Sequence, residues 1–208
     1  MDYESFLRLA SSRRSVRRFT SRGLTHGQIE RLIEAACWAP SNHNRQGWKF
    51  VVFEDPQEIR MLAEQSRKSV KESLAEAPRL AAEQADELAS FAGAFDQAPA
   101  LILVMHKKSP AVGKSILSRA TSELASGEVL SAAMACQNLL LAAHAMGLGA
   151  CLMTAPLLAG RVWKSLEGLP MGFEPTCLIT LGYPAQMPVA PKRKKLEHVV
   201  DYRRGTND

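Results

Sequence analysis

Apolar positions recur along this chain at two spacings, and the change from one to the other marks out its elements. Phe6, Leu7 and Leu9 predict a short first helix. The next is better marked. Thr25 with Gln28 three residues on makes a capping box, Ile29, Leu32, Ile33 and Ala36 follow at helical spacing, and Pro40 lies beyond its end. Residues 48–53 (WKFVVF) read as a strand, after which Asp55 and Pro56 supply an N-cap and a first-turn proline for another helix. From Glu64 to Ala92 the chain is charged, alanine-rich and interrupted by Pro78, a pattern that predicts surface helices forming a cap. Ala100 to His106 (ALILVMH) is a continuous apolar run of strand length, of the kind buried on both faces of a sheet. Lys107 to Gly127 is polar and irregular, and an excursion of that length predicts a lid.

Glu128 to Met146 is apolar almost all round, so the helix it predicts must be covered on most sides. Gly147 and Gly149 stop it, residues 150–153 resume an extended run, and residues 176–181 (TCLITL) give a last strand before Gly182 and Pro184. The class is α+β, a single domain over residues 1–208 with residues 60–127 as a variable cap or lid excursion. A helix so apolar in so small a domain is easier to bury if a second copy covers part of it, which predicts a homodimer.

Composition narrows the function classes. A chain of 208 residues can bury a sizeable core without staples, and the four cysteines (Cys37, Cys136, Cys151, Cys177) form no C-x-x-C pair, so they read as reduced core residues. The five histidines are scattered, which argues against a metal site. Met1 to Ala10 has neither the apolar run of a membrane span nor the basic start of a signal peptide, so the expected location is cytoplasmic, with no membrane partner. Lys and Arg number 26 against 21 Asp and Glu, a formal charge of +5 that asks for an anionic partner. The excess gathers at Arg13, Arg14, Arg17, Arg18 and Arg22, and again at Lys192, Arg193, Lys194 and Lys195, near opposite ends of the sequence. No zinc-finger spacing, RNP-like aromatic signature or basic zipper accompanies them, which disfavours nucleic acid and leaves a small phosphorylated molecule gripped from both ends.

Two segments carry candidate chemistry. Arg13, Arg14, Ser15, Val16 and Arg17 place three guanidinium groups and a hydroxyl together, suited to a phosphate, although a solvated basic run is the bland alternative. Residues 39–48 (APSNHNRQGW) set Ser41, Asn42, Asn44 and Gln46 in one loop, a run of donors and acceptors that would suit the polar edges of a flavin; an asparagine-rich turn is the alternative. Trp48 reads as core packing, His43 as a surface residue and His106 as a strand-end residue. No Ser-His-Asp or Cys-His set is found, and no dinucleotide fingerprint.

The ordered combination of RRSVRRF, APSNHNRQGW, a buried helix containing QNLLLAA, and GLGACLMTAP resembles the FMN-dependent nitroreductases. The resemblance implies a central mixed or antiparallel sheet flanked by helices, an interlocked homodimer and FMN at the subunit interface. It also implies NADH or NADPH as a transient donor and a small electron-poor acceptor, a nitroaromatic or quinone, reduced in a ping-pong cycle; the alternatives are a reductive dehalogenase or a flavin-dependent dehydrogenase. By the same resemblance Arg13, Arg14 and Ser15 match residues around the FMN phosphate and ribityl chain. Arg17 matches a basic residue near the pyrimidine edge, where its charge supports the reduced ring and no side chain need act as acid or base. Pro40, Ser41, Asn42 and Asn44 match a loop lent to the partner's flavin, with Gln46 beside them. Thr154 and Ala155 match the backbone near N5, and Lys192 and Lys194 match, within one or two positions, basic residues of a C-terminal arm that returns to the phosphate. Two positions depart from the family pattern: Gly47 stands where proline is frequent, which predicts a more mobile loop, and Thr154 stands where some members carry an acidic residue.

Overall fold

The computed structural model describes residues 2–75, 82–108 and 127–203. The elements run α1 (Tyr3–Ser12), α2 (His26–Cys37), β1 (Trp48–Phe53), α3 (Pro56–Ala75), α4 (Ala82–Ala92), β2 (Ala100–Lys107), α5 (Gly127–Ala145), β3 (Gly149–Met153), α6 (Gly160–Ser165) and β4 (Phe173–Gly182). Local chemistry accounts for the boundaries. The Thr25 capping box is formed in both directions, and the Asp55 carboxylate accepts from the Gln57 amide as α3 begins. The four strands pair antiparallel in the order β1-β2-β4-β3. The expected sheet flanked by helices is present.

β2 is central, and its side chains alternate between two cores. Ala100, Ile102 and Val104 join Leu32, Trp48, Ala135 and Leu139 beneath α2 and α5, whereas Leu101, Leu103 and Met105 join Ile59, Leu62, Phe95 and Trp163 beneath α3, α4 and α6. That division is why the run from 100 to 106 has no polar alternation. It also corrects the reading of residues 64–92 as a surface cap, because Ser66, Val70, Ala89 and Ala92 are fully enclosed and both helices cover one face of the sheet. Pro78 and the lid expected within 107–127, from residue 109 to 126, lie outside the described residues.

β4 begins three residues earlier than its apolar run. Pro175 has no amide to give the ladder, and the register with β2 shifts between Val104 and Met105, leaving Thr176 as the bulged residue. Cys37 corrects another expectation: it sits exposed at the end of α2, while the other three thiols are buried. The segment after α1 is drawn onto the sheet edge by a parallel bridge between Ser15 and Ala150 and by the Val16 amide on the Ala150 carbonyl. Gly149 permits this approach, since a Cβ there would lie 2.7 Å from Val16 Cγ1.

Candidate functional site

The parallel bridge between Ser15 and Ala150 lays the segment Arg13 to Arg17 against β3, the strand that is followed by Thr154 and Ala155. Arg13, Arg14 and Ser15 are half-buried, whereas Arg17 is exposed. With Pro188, Val189, Pro191 and Arg193 they line an open cavity of about 330 Å³, and Ser15 and Arg17 also line a neighbouring cleft with Arg18, Gln186 and Pro188. The C-terminal segment therefore returns to the N-terminal basic cluster. Its contributing side chain is Arg193; Lys192 and Lys194 are exposed and do not line the cavity.

Arg14 spends part of its guanidinium locally, with Nη1 donating to the carbonyls of Ser11 and Arg13 at 2.7 and 2.8 Å, where α1 ends. Among the described residues, none of Arg13, Arg14, Arg17 and Arg193 pairs with a carboxylate. Four like charges around one cavity repel unless an anion joins them. His144, from the last turn of α5, meets Ser12 Oγ at 2.8 Å behind this cluster; burial, then Arg13 and Arg14, hold it below the usual histidine range. Cys151 lies beneath the same segment. Burial pushes its thiol up, against the opposing pull of Arg17, Ser15 and Arg13, which leaves a poor nucleophile.

The amide-rich loop lies elsewhere. Pro40 to Gln46 packs on the first turn of α5, where Ser131 Oγ accepts from the Asn42 amide at 3.0 Å and donates to the Gly127 carbonyl at 2.6 Å. Ser41 Oγ accepts from the Gln46 amide at 2.9 Å and closes the loop. His43, Asn44 and Gln46 all adopt left-handed backbone, with φ of 50°, 51° and 48°. Three such residues in a short loop hold strain that only external contacts maintain. The side chains of Asn42, Asn44 and Gln46 stay exposed.

α5 separates the two halves. Ser131 touches the loop and His144 backs the basic cavity, thirteen residues apart on one helix, a span of about 20 Å at 1.5 Å per residue. Glu128 was legible in the sequence only as a helix start, yet it is 6% exposed and extends beneath Gly47. Among the described residues no group of three or more His, Cys, Asp or Glu side chains is placed to hold a metal, and no helix is long and apolar enough to cross a membrane.

A model of the nitroreductase family matches residues 10–183. The chain belongs to that family. Within it, an iodotyrosine deiodinase from Haliscomenobacter hydrossis is 31% identical over 184 residues, 86% of this chain and 79% of that protein. An NADH dehydrogenase from Thermus thermophilus is 31% identical over 207 residues, 93% of this chain and 94% of that protein. A solved nitroreductase with bound FMN from Desulfitobacterium hafniense superposes with a TM-score of 0.71 at 20% identity, covering 98% of this chain and all of the other, and shares the fold. The helix-flanked antiparallel sheet is thus the nitroreductase fold.

Proposed function

We propose that this nitroreductase-family chain is an FMN-dependent oxidoreductase that uses NADH or NADPH to reduce small electron-poor acceptors such as nitroaromatics or quinones. The observation that carries this reading is the cavity lined by Arg13, Arg14, Arg17 and Arg193, none of which pairs with a carboxylate among the described residues, on a segment bridged to β3 at Ala150. Its donors suit a phosphate monoester: arginine forks grip two oxygens at once, and Ser15 adds a hydroxyl. Lys192 and Lys194 reinforce the field from the solvent side, and Arg17 provides the positive charge that supports the reduced ring. When bound, FMN supplies the redox chemistry itself, and the protein supplies position and electrostatics. The known relatives, one an NADH dehydrogenase and one structure holding FMN, favour the donor and the cofactor.

The active unit in this reading is a homodimer. Pro40, Ser41, Asn42, Asn44 and Gln46 sit about a helix length from the basic cavity of their own chain, so they serve the flavin of the partner. On the single chain Leu130 and Met134 of α5 are 51% and 40% exposed and Trp38 is 83% exposed, apolar surface that a second copy would cover.

Purified protein should retain a flavin absorption spectrum at one FMN per subunit and have the mass of a dimer by light scattering, and it should oxidise NADH or NADPH when a nitroaromatic or quinone is added. A colourless monomer would overturn the reading. The deiodinase relative favours a second one, reductive dehalogenation; release of halide from a halogenated tyrosine, without turnover of nitro or quinone acceptors, would select it.

A further inference from the structure

The inference rests on the flavin reading above and concerns Glu128, to which neither half of that site assigns a role. Glu128 lies in the first turn of α5 with its side chain 7% exposed. Oε1 is 3.6 Å from Arg45 Nη1, and the Arg45 side chain is 57% exposed. Oε2 is enclosed and has no hydrogen-bond partner among the described residues. A buried carboxylate with one loose partner costs stability, and the positive end of α5 offsets only part of that cost.

The placement of the carboxylate explains what it does. A Cβ on residue 47 would collide with Glu128 Oε2, so the carboxylate fills the space that a side chain at 47 would take. On its other side Gly47 is pinned by its carbonyl, which accepts from the Lys107 amide at 2.7 Å. Gly47 is a glycine here because Glu128 lies against it, and the pair anchors the end of the loop just past Gln46. The same helical turn holds the beginning of the loop, where Ser131 Oγ accepts from the Asn42 backbone amide and a Cβ on Gly127 would lie 2.9 Å from the side-chain Nδ2 of Asn42. Between these two anchors stand the three left-handed residues.

We propose that Glu128 is a positioning residue for flavin binding: by its contacts with Gly47 and Arg45 it holds Asn42, Asn44 and Gln46 in the strained arrangement that presents them to FMN. Gly47 therefore makes this loop fixed, in place of the mobility that its departure from proline predicts.

The test compares wild type, Glu128→Ala, Gly47→Ala and the double variant by three measurements: FMN titration followed by fluorescence quenching, hydrogen–deuterium exchange, and thermal unfolding of apoprotein. Glu128→Ala should weaken FMN binding about tenfold and speed exchange of the peptide covering 40–48, while exchange of the β2 peptide stays unchanged and the apoprotein melts no lower than wild type. Gly47→Ala should also weaken FMN, and the double variant should lose less than the sum of the two. Unchanged exchange at 40–48 in Glu128→Ala, or additive losses in the double variant, would overturn the inference. If Glu128→Ala does not fold, Glu128→Gln keeps the volume and removes the charge; unchanged affinity and exchange then overturn it. Wild type that binds no FMN while Glu128→Ala still loosens residues 40–48 sinks the flavin reading and leaves the anchoring role standing.

Discussion

Arg193 stands between two lysines of equal charge, and only the arginine reaches the cavity wall with Arg13, Arg14 and Arg17. If that geometry governs FMN binding, Arg193→Ala should weaken it about tenfold or more, as expected for a lost charge-assisted fork, while Lys192→Ala and Lys194→Ala change it less than threefold; isothermal titration at fixed salt checks the ranking. The sequence identified the cluster but not its register, because four consecutive basic residues look alike until the backbone decides which one turns inward. His144 allows a prediction in pH. Its folded-state pKa is below the ordinary 6.5, chiefly through burial and then through Arg13 and Arg14. The unfolded chain therefore takes up this proton at higher pH than the folded one. The stability involved is present above about pH 6.5 and is lost as the pH falls below that value. Unfolding temperatures across that range should fall less steeply in His144→Gln than in wild type.

Elements were most legible where a single local device defines them. The Thr25–Gln28 box, the apolar WKFVVF run and the Asp55–Pro56 start were all readable because their chemistry lies within a few residues. The first residues of β4 were hidden, since Pro175 and the bulge at Thr176 break the pattern that marks a strand. The burial of Glu128 was equally hidden, since it depends on a glycine far away in sequence. The bridge from Ser15 to Ala150 depends on a similar remote fit, and it makes a prediction. Gly149→Ala should destabilise the protein by about 1–3 kcal/mol through overpacking against Val16, and Val16→Ala in the same chain should recover most of that loss. Urea unfolding of the two variants measures both. Within the core, Leu139→Ala on α5, fully buried beside β2, should cost about 2–5 kcal/mol.

At the scale of the molecule one sheet serves two cores, and α5 both closes the first core and leaves apolar side chains facing outward. The composition of α5 revealed that it needed covering, but not which flank was left bare, because that depends on where α2 and the sheet lie. Charging the bare flank with Leu130→Glu and Met134→Glu should shift the protein to monomer in light scattering and release FMN with it, whereas a folded dimer that keeps its flavin would contradict the proposed interface. The separation of loop and basic cavity along α5 has a genetic consequence. If the active unit is the proposed homodimer, defects in the two regions should complement each other although one gene encodes both. Protein inactivated at Arg13 and Arg193, unfolded and refolded with an equal amount of protein inactivated at Asn42 and Asn44, should regain about a quarter of the wild-type sites by random pairing of subunits. Neither parent should recover any alone.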